Sequence, residues 1–95
     1  MDDSRLFIEV LASLPPVDMG GDTGAFPCDL AEQFLGRANR ETRGRVMTCI
    51  RLIKQDFGIV CNRVREGRNH ALGYGLPRAS MPDVTAWLGK KGFKV

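Results

Sequence analysis

The chain has 95 residues, 43% of them apolar and 26% charged, enough for one modest hydrophobic core and too few for two. No apolar run reaches the ~18–20 residues of a membrane span, and the acidic start, Met1-Asp2-Asp3-Ser4-Arg5, lacks the basic opening and cleavage site of a signal peptide. The expected location is therefore cytoplasmic, with no membrane partner, and the net charge of +3 conceals a gradient: −6 over residues 1–35, +6 over 36–70 and +3 over 71–95.

Asp3 or Ser4 can cap a first helix, whose apolar stripe is Leu6, Phe7, Val10, Leu11 and Leu14. Pro15-Pro16 ends it. Residues 17–27 read as a glycine-rich loop with two motif matches. Gly20, Gly21 and Gly24 lack the lysine that a phosphate-binding P-loop requires. Asp22-Thr23-Gly24-Ala25 is similar to the active-site tetrapeptide of retroviral-type aspartic proteases. Those enzymes place the aspartate at the end of a buried apolar strand, and Asp18-Met19-Gly20-Gly21 cannot form one.

Pro27 or Cys28 opens a second short helix with Leu30, Ala31, Phe34 and Leu35 apolar, Asp29 and Glu32 in its first turns, and Gly36 as its stop. The organising stretch follows, a long helix over 39–57. Asn39 can cap it and Gly58 can end it. At about 100° per residue, Val46, Ile50, Ile53 and Phe57 stack on one face, opposite Arg40, Gly44, Met47, Thr48, Arg51 and Gln55. Every base in the central block except Lys54 is arginine, whose planar fork suits phosphates and guanine edges. A solvated basic face is the alternative.

After Gly58 the period shortens. Residues 59–64 and 70–76 read as two strands joined by the turn cluster 65–69, a hairpin with a basic tip. Gly73 and Gly75 imply close backbone approach, with Tyr74 and Leu76 returning toward the core beside Leu72. Ser80 and Asp83 have the spacing of a capping box for a last helix carrying Val84, Trp87 and Leu88, closed by Gly89. Residues 1–3 and 90–95 are expected to be flexible. Cys28, Cys49 and Cys61 read as small reduced hydrophobes. With His70 they match no standard zinc spacing, so neither metal nor cofactor is expected.

This order of elements, with Val46-x-x-x-Ile50-x-x-Ile53, Gly58-Ile59 and Gly73-Tyr74-Gly75-Leu76, resembles the winged helix-turn-helix superfamily of DNA-binding domains over roughly residues 4–76. The resemblance implies a single α+β, mainly α, domain over 1–95: a three-helix helix-turn-helix core, a C-terminal β-hairpin wing and a short closing helix. One departure is the nine residues between Gly36 and Val46, which require a longer turn or a helix that starts early and projects.

The implied function is sequence-specific double-stranded DNA binding by a small transcriptional regulator, with the 39–57 helix in the major groove. Arg40, Arg43 and Arg51 are candidates for guanine edges or flanking phosphates, and Met47 and Thr48 for thymine methyls. Gly44 lets the duplex approach closely. Arg37 and Arg45 are expected on phosphates. The hairpin tip, with Arg63, Arg65, Arg68, Asn69 and His70, is expected on the backbone or in the minor groove. A homodimer, formed through Trp87, Leu88 and the first helix, and a larger protein complex are the further partners considered. Compact regulators of this kind are common in phages and mobile elements. The competing function is a winged-helix protein–protein module without DNA binding. One histidine, no paired carboxylates on one face and no nucleophile with an evident base give no expectation of enzymatic activity.

Overall fold

In the computed structural model, which describes residues 1–93, helix α1 (Asp3–Ser13) buries Leu6, Val10 and Leu11, the centre of the expected stripe. Its cap is Asp2, one residue earlier than expected, whose Oδ1 accepts from the Arg5 amide at 2.8 Å. That frees Asp3 to sit in the first turn, where a carboxylate complements the helix dipole. The prolines stop the helix, and β1 (Pro16–Val17) follows, a short strand inside what the sequence presents as the end of a helix and a loop.

Helix α2 (Pro27–Leu35) starts on a proline, which has no amide to leave unpaired, and ends at Gly36. Helix α3 (Arg40–Asp56) is fixed at its start by a reciprocal cap. The Asn39 side chain accepts from the Thr42 amide, and the Thr42 hydroxyl accepts from the Asn39 amide, both at 2.9 Å. Gly58, at φ 88°, closes its far end as the sequence implies.

Strands β2 (Val60–Glu66) and β3 (Asn69–Pro77) form an antiparallel hairpin. The ladder runs further toward the tip than the turn cluster 65–69 suggested: Arg65 pairs with His70, and Glu66 with Asn69. Only Gly67-Arg68 remains as the loop, with positive φ at Gly67 and not at Arg68. That is the type II′ pattern, whose twist matches that of the strands. β3 is the central strand of the sheet, with β1 parallel on its other edge.

The loop after β1 is clasped to the hairpin. Asn62, 3% exposed, accepts from the Gly20 amide at 3.1 Å and donates to the carbonyls of Asp18 at 2.9 Å and Thr23 at 3.2 Å. Ala25 and Tyr74 exchange backbone hydrogen bonds of 2.7 and 2.8 Å. The loop and the hairpin touch at glycines: a Cβ on Gly73 would lie 3.0 Å from Gly24 Cα, and one on Gly24 would lie 2.6 Å from the Gly73 carbonyl carbon. Close approach at Gly73 is thus as expected, and its partner is the glycine loop.

A 3-10 turn (Arg78–Ser80) leads into α4 (Met81–Lys90). Ser80 does not cap this helix. It lies in helical backbone, and its hydroxyl donates instead to the Phe57 carbonyl, pinning α4 to the end of α3. Gly89 is inside the helix; the left-handed residue is Gly92, φ 76°. The Phe93 amide donates to Leu88 O at 3.0 Å, and the Phe93 ring packs on the core. Residues 90–93 are therefore a capped helix end, and residues 94–95 lie outside the described residues. At the other terminus, residues 1–3 are engaged as well, through the Asp2 cap and the bonding of Arg45 to Met1 O and Asp3.

The core joins α1, α2, α3, β3 and α4 through Leu6, Leu11, Leu30, Val46, Ile53, Leu76 and Leu88. Two expectations fail at the surface: only Cys49 of the cysteines is buried, and Leu72 is 54% exposed. The exposure of Leu72 follows from the hairpin extending past the core it closes, whereas Cys28 sits in the first turn of α2, outside the core. Among the described residues no helix is long and apolar enough to cross a membrane.

Candidate nucleic-acid interface

The distance between Gly36 and Val46 is explained by the turn and the helix together. The turn occupies Gly36 to Asn39, and α3 then runs for six residues, Arg40 to Arg45, before Val46, its first fully buried side chain. At ~1.5 Å per residue, about 9 Å of helix projects beyond its first core contact. Arg40, Arg43 and Gly44 belong to this projecting end, with Met47 one turn on.

The hairpin supplies the facing wall. Side chains paired across an antiparallel ladder share a face, so Cys61–Tyr74, Arg63–Leu72 and Arg65–His70 look to one side. Asn62–Gly73, Val64–Ala71 and Glu66–Asn69 look to the other. Tyr74 and Leu72 line a cleft of about 480 Å³ with Pro27 and Cys28 of α2 and Arg40, Arg43, Gly44 and Met47 of α3. Arg63, Arg65 and His70 thus continue the hairpin wall of this cleft toward the tip.

Of the thirteen residues expected at the interface, Arg40, Arg43, Gly44 and Met47 line this cleft, and Arg63, Arg65 and His70 lie on the hairpin face that Leu72 and Tyr74 turn toward it. Arg51 lies further along the same side of α3. Its guanidinium donates to Thr48 Oγ1 at 3.4 Å, and that hydroxyl donates to the Gly44 carbonyl at 3.0 Å. Arg37 is exposed in the turn and Arg68 at the hairpin tip. Asn69 is on the hairpin face away from the cleft, opposite Glu66. Arg45 points elsewhere altogether: its Nη2 lies 2.7 Å from Met1 O and 3.2 Å from Asp3 Oδ1, tying α3 to the start of α1. Its position on the helix puts it well round from Arg40 and Met47, which is why it cannot share their partner.

Charge at the cleft is uncompensated. Among the described residues the ion pairs are Arg5–Glu9, Arg45–Asp3 and Arg78–Asp18, and none engages Arg37, Arg40, Arg43, Arg51, Arg63, Arg65 or Arg68. The nearest restraint on Arg43 is weak, Nε at 3.3 Å from Asn39 O and Nη1 at 4.0 Å from Cys28 Sγ. Burial, and then the neighbouring Cys61, raise the Tyr74 pKa, so the phenol keeps its proton and adds no negative charge to the cleft. The Cys49 thiol is also raised, by burial first and by Asp3 second, against a lowering by Arg45. It is a core thiol behind the cationic face. Comparison with protein-family models, curated proteins and solved structures finds no match to this chain.

Pro27, Cys28, Leu72 and Tyr74 were not foreseen as cleft residues. For Leu72 the signal was present: it is two residues from Tyr74 in a strand and so on the same face. What the sequence did not reveal is that the core ends between them.

A second concavity, of about 500 Å³, lies where α1, α3 and α4 meet, lined by Asp3, Ser4, Phe7, Ile8, Leu52, Trp87 and Lys91. Trp87 packs edge-on against Phe7 at 5.4 Å and Phe57 at 6.1 Å between ring centroids, with Lys91 Nζ 5.3 Å above its ring. Leu88 is fully inside the core and offers nothing to a partner.

Proposed function

We propose that the chain binds double-stranded DNA sequence-specifically, as a small transcriptional regulator. The projecting end of α3 enters the major groove, and the hairpin tip follows the backbone or the minor groove, in the manner of the winged helix-turn-helix domains it resembles. The observation that carries this reading is the cleft: Arg40 and Arg43 of α3 line it without carboxylate partners, and Arg63 and Arg65 share the strand face of the hairpin residues, Leu72 and Tyr74, that form its other wall. Cations held close together repel, and a polyanion is the partner that reverses the sign of that cost.

Gly44 supports the reading independently. Glycine in an exposed helix interior costs about 1 kcal/mol relative to alanine. A Cβ there would meet nothing within 4 Å, so no packing within the chain requires its absence. A duplex lying on the helix does. Gly44→Ala should therefore raise stability by up to about 1 kcal/mol while weakening duplex binding roughly tenfold, measured by thermal melting and fluorescence anisotropy. Equal affinities for the two proteins would remove α3 from the interface.

We further assign the apolar concavity on the other side of α3 to a second copy of the chain. Leu52 is 46% exposed there, and Asp3 and Lys91 stand among its lining residues, so two-fold apposition can bring opposite charges together. The cationic cleft stays free for the duplex. Sedimentation on a short selected duplex should give two protomers per site, and Leu52→Asp should give one without loss of fold. One protomer of the unaltered protein at saturation contradicts the dimer.

A further inference from the structure

The cationic cleft has an apolar wall. Leu72, 54% exposed, stands on β3 between His70 and Tyr74 on the same strand face, opposite Arg63. With Met47 and Tyr74 it lines the cleft that Arg40, Arg43 and Gly44 share. Phosphates gain nothing from a leucine, so a surface that only tracked a backbone has no use for one here. The major-groove edge of a base pair carries one apolar group, the C5 methyl of thymine. Resting on the duplex-binding reading, the geometry points to Leu72 and Met47 as a pair that reads thymine methyls at the position where the hairpin meets α3.

The pairing of the two residues is what the fold contributes. Met47 is half-buried on α3, and its flexible thioether can follow a methyl group at more than one depth. Leu72 approaches from the hairpin, held by the β2–β3 ladder and by the Ala25–Tyr74 bridge two residues away. A thymine methyl between them is removed from water on two sides. Burying one such group amounts to about a fourfold change in affinity.

The test starts from a random duplex pool from which the unaltered protein selects its site. Each thymine of the selected duplex is then replaced singly by deoxyuridine, which removes the methyl and leaves charge and base pairing unchanged. Affinity should fall about fourfold at one or two positions. Leu72→Ala, at a site too exposed to threaten the fold, should bind more weakly and be indifferent to deoxyuridine at those positions. Met47→Ala should lose sensitivity at the same positions. Indifference of the unaltered protein at every thymine overturns the proposal and leaves duplex binding standing, as does sensitivity that survives in both variants. Failure to retain any duplex from the pool overturns the duplex-binding reading and this proposal with it.

Discussion

Replacing Arg40 and Arg43 together by glutamate should lower duplex affinity by a factor of about a hundred or more, with the melting temperature changed by only a few degrees. Both side chains lie on the projecting turns of α3, and both line the cleft. Neither has a carboxylate partner to lose among the described residues. Exposed substitutions of this kind stay within about 0.5 kcal/mol of the parent stability. The expected binding loss is far larger. An arginine fork on a guanine is worth about 1–3 kcal/mol, and each reversal also sets a negative charge against phosphate. The control is Arg5→Glu with Lys90→Glu, equal in charge change but on α1 and α4, and carrying in addition the loss of the Arg5–Glu9 pair. If the control weakened binding as much as the α3 pair, net charge and not a localised surface would govern association.

The second large effect concerns the clasp between loop and hairpin. Asn62→Leu should destabilise the protein by about 3 kcal/mol, a drop of about 15 °C or more in melting temperature for a chain of this size. Leucine keeps the branched heavy-atom arrangement of asparagine but is bulkier, so the loss combines the missing hydrogen bonds with a packing cost. Without the amide, the Gly20 N–H and the Thr23 carbonyl lose their partner inside the fold, and the Asp18 carbonyl keeps only the Gly21 amide. These three groups are in an exposed loop, so water recovers part of the loss, and the sum stays below three full penalties. The hairpin should then loosen against α3, because the Gly24–Gly73 contact and the Ala25–Tyr74 bridge depend on the same loop position. Amide exchange along Asn69–Pro77 should therefore speed up more than exchange in α3. Equal acceleration in both would make Asn62 a general core residue and not a clasp.

Helices and hairpin were legible because their signals are local. The stripe of α1, the Asn39 cap, the stop at Gly58 and the shortened period after it each depend on residues within one or two turns. What escaped depends on contacts across the chain. β1 is two residues long and exists only because Pro15 and its neighbours meet Leu76, with the Leu76 amide donating to Pro15 O at 2.8 Å. Ser80 has the right spacing for a cap, but the chain enters α4 through a 3-10 turn that redirects the hydroxyl to Phe57.

The candidate site divides the same way. Helical periodicity grouped Arg40, Gly44 and Met47 correctly on one face. Arg45 was misplaced among the interface residues because its partner, the start of α1, is more than forty positions away. Leu72 lies on the face that alternation assigns it yet is exposed, because alternation gives the face of a side chain and not how far along the strand the core extends.

The measurement that tests duplex binding most directly is a titration into labelled random duplex at a series of salt concentrations. With several of the cleft and hairpin arginines on phosphates, log affinity should fall with log salt at a slope of roughly −4 to −6. In the Arg40→Glu, Arg43→Glu protein the slope should be shallower by about 2. No detectable binding at the lowest salt, or a slope that the double reversal leaves unchanged, would contradict the assignment of this cleft to DNA.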